Sequence, residues 1–574
     1  MACLAASLGP RYVARVTMRS KGTTRLVLAA SVAAMLIGAP GCATTTPKGA
    51  TPREKAATPS EAPSQATVAP KLVVLIVLDQ LGSWVLDQQL PLLPSGSTIR
   101  RAYEDGASHT AEYPYASTQT APGHASLTTG VPPAVHGIVS NAVYDAELGS
   151  RRTVDDRKHA VIGNDDRYVS PTQLRSETVA DLLHRETDAK ARIVGISIKG
   201  RSAVLPVGQK ANIAVFYDAV AHGMTTSTYY APKRSLPEWL RDFRKSNPVE
   251  PLLQPWEPAE PDWLQKHLGP DASPGEMYPS FPHDPREAPD PWYAFAGTPE
   301  SSEYLMAAAY AVVKAEKMGV DDVPDFLVLS VSGTDIVGHI WGASSWEYAD
   351  NLRRIDRALT HFVKLLEARG PVAFVLTGDH GVAELPERAH AEGRAGGRLR
   401  GEVLIASAER AADAALGQGD WIAGYVPPLF TYTAAGKAQH NELTRALRKA
   451  LPDVDGVKTV YDARDAATLR ASGTDMERLV GASLPDDPPG DLYLVTEPGW
   501  FDALSEQGGT NHGTPWDYDR RVPVLMWGAA VERRTSRDVH DVVRVAATLA
   551  ALLNVPAPPN AAEGPLPGVM RLPD

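Results

Sequence analysis

Five short apolar runs constrain this chain more than any other feature. They are "KLVVLIVL" ahead of Asp79, "ARIVGISI" (191–198), "DFLVLSV" (325–331), "PVAFVLT" (371–377) and "VPVLMWG" (522–528). A continuous apolar run of this length, with no polar alternation, suits a strand buried on both faces, as in a parallel sheet. Helical patterns fall between the runs at 302–318, 345–368, 438–449 and 539–553. Strands alternating with helices predict an α/β fold, with a mostly parallel central sheet and helices on both faces. Two stretches break the rhythm. Residues 231–300 are rich in Pro and Trp, and residues 383–505 mix short strand and helix signals. Both read as cap insertions over the carboxyl edge of the sheet, where α/β enzymes bind their ligands. The catalytic domain is expected to span 71–574.

The N-terminus carries a different message. Arg19, Lys21 and Arg25 precede the apolar run Leu26–Ile37, and small residues lead to Gly41 and Cys42. The run is too short for a comfortable membrane span, so residues 1–42 read as an export signal. Gly41-Cys42 resembles a bacterial lipoprotein cleavage site, with Cys42 as the lipidated residue. A secreted soluble form and an unprocessed anchor are the alternatives. Translation can start at Met1 or at Met18. Residues 43–70, rich in Thr, Pro, Ala and Ser, read as a disordered tether. The expected location is the periplasm or the outer membrane, with membrane contact only through Cys42.

The only cysteines are Cys3 and Cys42, so the body of the chain has no disulfide, thiolate zinc site or cysteine nucleophile. Any metal there must be held by His, Asp and Glu. The net charge of −11 argues against a nucleic-acid partner, yet leaves room for a local cationic site that binds small anions.

Four of the apolar runs have Asp or His at or near one end. Asp79 closes the first. Asp335 and His339 come after the third in "SGTDIVGHIWG", Asp379 and His380 after the fourth in "VLTGDHG", and His512 precedes the last in "GGTNHGTPWDY". A lone Asp at a strand end is usually a cap or turn former. Asp335 and His339 share a helical face, a spacing that also arises by chance. The set is less ordinary, because three Asp and three His make two groups of oxygen and imidazole donors suited to zinc. Thr120, in "STQTAPGHAS", stands where a helix starts, since Pro122 is tolerated in a first turn. It serves as a plain helix start or as a nucleophile, and a helix N-terminus favours phosphate in either case. Asn141 comes next in "HGIVSN". Lys199 and Arg201 come after the second run in "SIKGR", either as solvated charge or as a clamp on phosphate oxygens.

Together, "VLDQ" (77–80), "TQTAPGHASLTTG" (118–130), "HGIVSN" (136–141), "SIKGR" (197–201), "SGTDIVGH" (332–339), "TGDHG" (377–381) and "NHGTPWDYDRRVPVLMWG" (511–528) resemble the alkaline phosphatase superfamily. The resemblance is closest to its secreted bacterial zinc alkaline phosphatases with a threonine nucleophile, a branch related to the nucleotide pyrophosphatase/phosphodiesterases. It implies two Zn2+ per chain. Asp335, His339 and His512 would hold one; Asp79, Asp379, His380 and the Thr120 oxygen would hold the other. It also implies a phosphothreonine intermediate at Thr120, with Asn141, Lys199 and Arg201 on the phosphate oxygens. His124 and His136 would be packing or hydrogen-bonding groups rather than ligands. The implied substrates are small phosphate esters.

Three other readings remain in view. A sulfatase of this superfamily needs a modified Cys or Ser where this chain has Thr120. A phosphodiesterase needs apolar room where a monoesterase needs charge, and the Lys199–Arg201 pair favours the monoester. A lipoprotein that binds phosphate or metal without turnover would leave Thr120 unexplained. Neither the physiological ester nor the oligomeric state is legible.

Overall fold

The computed structural model describes residues 68–505, 508–561 and 564–572. The export segment, Cys42 and nearly all of the tether lie outside the described residues. The central sheet has nine strands: β1 (Leu72–Leu78), β2 (Ala107–Glu112), β3 (Ile193–Ser197), β4 (Ile213–Asp218), β5 (Gly223–Thr225), β6 (Asp325–Val331), β7 (Val372–Thr377), β8 (Arg521–Gly528) and β9 (Arg534–Asp541). Their spatial order is β9-β2-β8-β7-β1-β6-β3-β4-β5. The middle is parallel: β1 pairs with β6 and β7, and β6 with β3. β8 runs antiparallel to β7 and to β2. Every residue of β1, β6 and β7 is buried, which is why these runs are dominated by apolar side chains. Alternate residues feed two cores on opposite faces, Leu72, Val74 and Ile76 into one and Val73, Leu75 and Val77 into the other.

The five apolar runs are all strands. The helical patterns at 302–318, 345–368 and 438–449 correspond to helices Pro299–Ala315, Trp346–Glu367 and His440–Ala450. The pattern at 539–553 is divided. Its first residues finish β9, and the helix begins at Arg544. Among the described residues β9 is an edge strand whose one neighbour is β2, so its polar sequence "RTSRDVHD" carries no apolar run to announce it.

The two interrupting stretches differ in construction. Residues 231–300 contribute Leu240, Phe243, Trp256 and Phe295 to the core of one sheet face. Their anchor is the helix Trp346–Glu367, whose Asp350 Oδ2 accepts from Trp256 Nε1 at 2.8 Å. Residues 383–505 build a separate four-stranded sheet with its own core, including Leu404, Phe430, Leu443 and Leu494. The two ends of that stretch are zipped together where Gly397–Leu399 pairs with Trp500–Asp502.

A second anchor of residues 231–300 is a buried pair, His283 Nε2 and Glu347 Oε1, 2.7 Å apart. Burial lowers the His283 pKa to about 4 and raises that of Glu347 to about 8. Near neutrality the pair is therefore an uncharged imidazole and a protonated carboxyl. Because the folded Glu347 binds its proton more tightly than the unfolded one, its contribution is fully present below the ordinary Glu pKa. It is lost as pH rises toward about 8. Glu347→Gln keeps the shape and removes the titration. Melting of the full chain between pH 5 and pH 9 should show a shallower loss of Tm for Glu347→Gln than for wild type. Parallel curves would mean that Glu347 is ionised in the fold.

Candidate active site

β7, β1 and β6 lie side by side, and their carboxyl ends deliver one aspartate each. Asp79 follows β1 directly, Asp379 follows β7 after Gly378, and Asp335 sits in the first turn of the helix Gly333–Trp341 after β6. Adjacent strands are about 4.8 Å apart, so three carboxylates meet at one buried edge. His380 comes with Asp379, His339 lies one helical turn after Asp335, and the loop ahead of β8 brings His512. Two groups result whose ligand atoms lie within 4.8 Å of one another: Asp79, Asp379 and His380, and Asp335, His380 and His512. His339 Nε2 stands 3.1 Å from Asp335 Oδ1, and His512 Nε2 3.5 Å from the same atom.

The three imidazoles are oriented from behind. Nδ1 of His380 donates to Gly381 O (2.9 Å), that of His339 to Thr510 O (2.9 Å) and that of His512 to Thr118 O (2.8 Å). Each Nε2 is thereby turned toward the carboxylates, the arrangement that fixes the tautomer of a metal-ligating histidine.

Thr120 opens the helix Thr120–Thr129 with Gln119 as an extended N-cap and Pro122 in the first turn. Its Oγ1 lies 3.4 Å from His380 Nε2, and Arg201 Nη2 donates to it over 3.4 Å. Asn141 Oδ1 accepts from Ala121 N–H (2.8 Å), which leaves the Asn141 amide N–H groups for another acceptor. Lys199 Nζ donates to Asp79 Oδ2 at 2.7 Å and also to Asp335 Oδ2. Asp79, Thr120, Asn141, Lys199, Arg201, Asp335, His339, Asp379, His380 and His512 thus meet here. His124 is a supporting group, with Nδ1 donating to Thr120 O (2.9 Å) and Nε2 paired with Ser330 Oγ (2.8 Å). His136 binds Ser126 Oγ through Nε2 (2.9 Å) and receives Ile138 N–H on Nδ1.

The electrostatics are those of a crowded anionic site. Burial and Asp335 would raise the Asp79 pKa, but Lys199 and His380 hold it well below the usual carboxylate range. Burial is outweighed likewise at Asp335, by His339 and Lys199. Burial would lower His380, yet Asp379 and Asp79 push it up to about 9. His512, deeply buried and next to His380, falls to about 3.

The residues present fit a pair of divalent cations. Asp79 Oδ1 and Asp379 Oδ2 are buried and make no hydrogen bond of good geometry, although His124 Nδ1 stands 3.1 Å from the second. They lie 3.4 and 3.5 Å from His380 Nε2, with Thr120 Oγ1 3.4 Å from the same atom. Ligands on a tetrahedral zinc, about 2.0–2.1 Å from the ion, stand about 3.3 Å apart. Oxygen and imidazole donors without sulfur suit zinc and harder divalent ions.

Two supporting residues escaped the sequence reading. Gln80 lies inside the quoted "VLDQ", and its backbone N–H donates to Asp379 Oδ1 at 3.0 Å. Asp519 lies inside "TPWDYDRR". Its Oδ2 receives Thr514 N–H (2.8 Å) and the Thr514 hydroxyl, and its backbone O receives Gly381 N–H (2.7 Å). Asp519 thus ties the His512 loop to the His380 loop. Motif position was the available signal for both.

A family profile described as Type I phosphodiesterase / nucleotide pyrophosphatase matches residues 73–516, and the chain belongs to this family. Among curated proteins it is similar to alkaline phosphatase PhoV of Synechococcus elongatus, 28% identical over 86% of this chain and 92% of that protein. It is 29% identical to a Myroides odoratus protein named calcium-transporting ATPase, over 85% and 92% of the two chains. The crystal structure of wild-type alkaline phosphatase PafA, a protein of Elizabethkingia meningoseptica, superposes with a TM-score of 0.81 at 27% identity. That match covers 88% of this chain and 100% of the other.

Gly123 lets the Thr120 helix approach the Asp379 loop. A Cβ there would stand 2.2 Å from the Asp379 backbone oxygen. Gly123→Ala should push Thr120 away from His380 and Asp379. A displacement of about 1 Å costs roughly 100-fold in rate, so kcat/KM for p-nitrophenyl phosphate should fall about that far. A variant that keeps wild-type turnover would show that the approach is not needed.

Proposed function

We propose that the protein is an alkaline phosphatase, a phosphoric monoester hydrolase that acts on small phosphate esters through a covalent phosphothreonine at Thr120. One observation carries this reading: buried Arg201 donates to the Thr120 oxygen, with buried Lys199 beside the same carboxylates. A monoester dianion has three terminal oxygens for such donors, and a diester has fewer. The names of the PhoV and PafA relatives support the same reaction class. ATP hydrolysis, in the name of the Myroides relative, is also transfer of a terminal phosphoryl group.

The chain's own residues divide the work. The helix start and the Arg201 guanidinium both favour negative charge on Thr120 Oγ1, the atom that attacks phosphorus. The alcohol departs and the phosphoryl group stays on Thr120 until water displaces it as phosphate. Arg201 and the Asn141 amide stabilise the equatorial oxygens during both transfers. Lys199 is tied to Asp79 Oδ2 and Asp335 Oδ2, and with those carboxylates holding metal its donors would be available to the phosphate oxygens. Asp335, His339 and His512 would hold one zinc ion and Asp79, Asp379 and His380, with Thr120, the other. When bound, the pair supplies Lewis-acid stabilisation of the attacking and leaving oxygens.

Substrate comparison tests this. Lys199→Ala and Arg201→Ala should each lower kcat/KM for p-nitrophenyl phosphate by about 10²–10³-fold, and that for bis-p-nitrophenyl phosphate much less. Equal losses would favour the phosphodiesterase reading. Thr120→Ala should abolish turnover and keep its zinc by elemental analysis. Surviving activity would reduce Thr120 to a helix start.

The location is also a proposal. The charged, apolar and small-residue pattern of residues 1–42 supports export, with Cys42 lipidated, residues 43–70 as tether and the catalytic domain from 71 onward in the periplasm or at the outer membrane. In a bacterial host, Cys42→Ser should move the protein from the membrane to the soluble fraction. A wild-type chain already soluble would support the secreted form.

A further inference from the structure

Gln80 stands between the two ligand groups and belongs to neither. Its side-chain Nε2 donates to Asp335 Oδ1 at 3.0 Å. Its backbone N–H donates to Asp379 Oδ1 at the same distance. The preceding residue, Asp79, is itself a proposed ligand. One residue therefore holds a carboxylate from each group.

The conformation makes this arrangement informative. Gln80 has φ +71°, in a turn closed by Leu81 N–H on Leu78 O (3.0 Å). A turn position of positive φ is glycine's natural place. What glutamine adds there is the amide donor. The facing residue points the same way. Gly338 lies in the helix that carries Asp335 and His339, where alanine has the higher helix propensity. A Cβ at Gly338 would stand 1.8 Å from Gln80 Oε1, so its absence makes room for this amide. That oxygen is buried and accepts no hydrogen bond, so the Asp335 bond is the polar contact that the side chain makes.

We propose that Gln80 is a positioning residue: it orients the Asp335 carboxylate toward His339 and His512, with Gly338 as the space that admits it. The inference rests on the two-cation reading above. An Asp carboxylate turns easily about its last torsion. A donor on Oδ1 fixes its plane, and bonds of this kind to a ligating group are worth about 10–100-fold in metal affinity.

The test uses the full chain, stripped by a chelator and titrated with Zn2+ against a competing chromophoric chelator. Calorimetry of the metal-free protein runs alongside. Gln80→Gly should weaken one of two zinc ions about 10–100-fold, while the metal-free Tm holds or rises because glycine relieves the turn. Gly338→Ala should weaken the same ion. The double variant should be no worse than Gln80→Gly, since with the amide gone the new methyl next meets Tyr348 Cε2 at 3.5 Å. Unchanged zinc affinity in Gln80→Gly, or losses that add in the double variant, would overturn the inference alone. A lower metal-free Tm with wild-type affinity would make Gln80 merely structural. A wild-type chain that binds no zinc would sink the two-cation reading and this inference with it.

Discussion

Three carboxylates buried at one sheet edge are the constraint around which this molecule is organised. At a spacing of about 5 Å and an effective dielectric of about 20, each like-charged pair repels by roughly 3–4 kcal/mol. Desolvation adds to that, as burial opposes ionisation at both Asp79 and Asp335. Ionised aspartates persist here only against concentrated positive charge. Lys199, which reaches two of them, and His380, pushed up to about 9, supply part of it. Asp79 Oδ1 and Asp379 Oδ2 meet imidazole nitrogens, those of His380 at 3.4 and 3.5 Å and of His124 at 3.1 Å.

The surrounding fold holds these charges in register. Parallel pairing of β1 with β6 and β7 places the aspartates, and backbone carbonyls aim the imidazoles. The loop carrying His512 comes from a different part of the chain and needs ties of its own. Asp519 gives one. Arg398 gives another, donating to Gly509 O (2.9 Å) while paired with Glu387 (2.6 Å). Gln119, the N-cap before Thr120, donates to Pro427 O over 3.3 Å, so the 383–505 stretch also touches the helix start. That stretch has its own core, which gives it the rigidity to act as a wall rather than a loose loop.

How much of this is legible in the sequence depends on what each residue touches. Strands buried on both faces announce themselves as apolar runs, and the Asp and His at their ends follow by position. β2, "ASHTAE", and β9, "RTSRDVHD", lie toward one edge of the sheet and carry no such run. β4, "IAVFYD", is apolar and buried, but it ends in Asp218 and stands close behind β3 with no helical pattern to set it apart. The candidate ligands could be read because metal donors are few in kind. Gln80 could not, because its value lies in a contact with a residue 255 positions away and in the missing side chain of Gly338. A hydrogen bond between a strand end and a distant helix leaves no periodicity behind. The strained φ that marks Gln80 is likewise a property of the fold and not of its letter.

Charge balance then links the site to its substrate. Asp79, Asp335 and Asp379 bring three negative charges, and Lys199 and Arg201 return two. In the bare site a protonated His380 completes the balance, so nothing there draws a phosphate dianion into a protein of net charge −11. Two divalent cations, bound as proposed, would displace that proton and leave three net positive charges. An ionised Thr120 and a monoester dianion would then cancel them; a diester monoanion would leave one uncompensated in a low-dielectric pocket, where residual charge is costly. On that reading, a preference for a monoester would belong to the whole charge set. Lys199 and Arg201 would tip it, because with metal on the carboxylates they would be fixed positive charges that those carboxylates no longer neutralise.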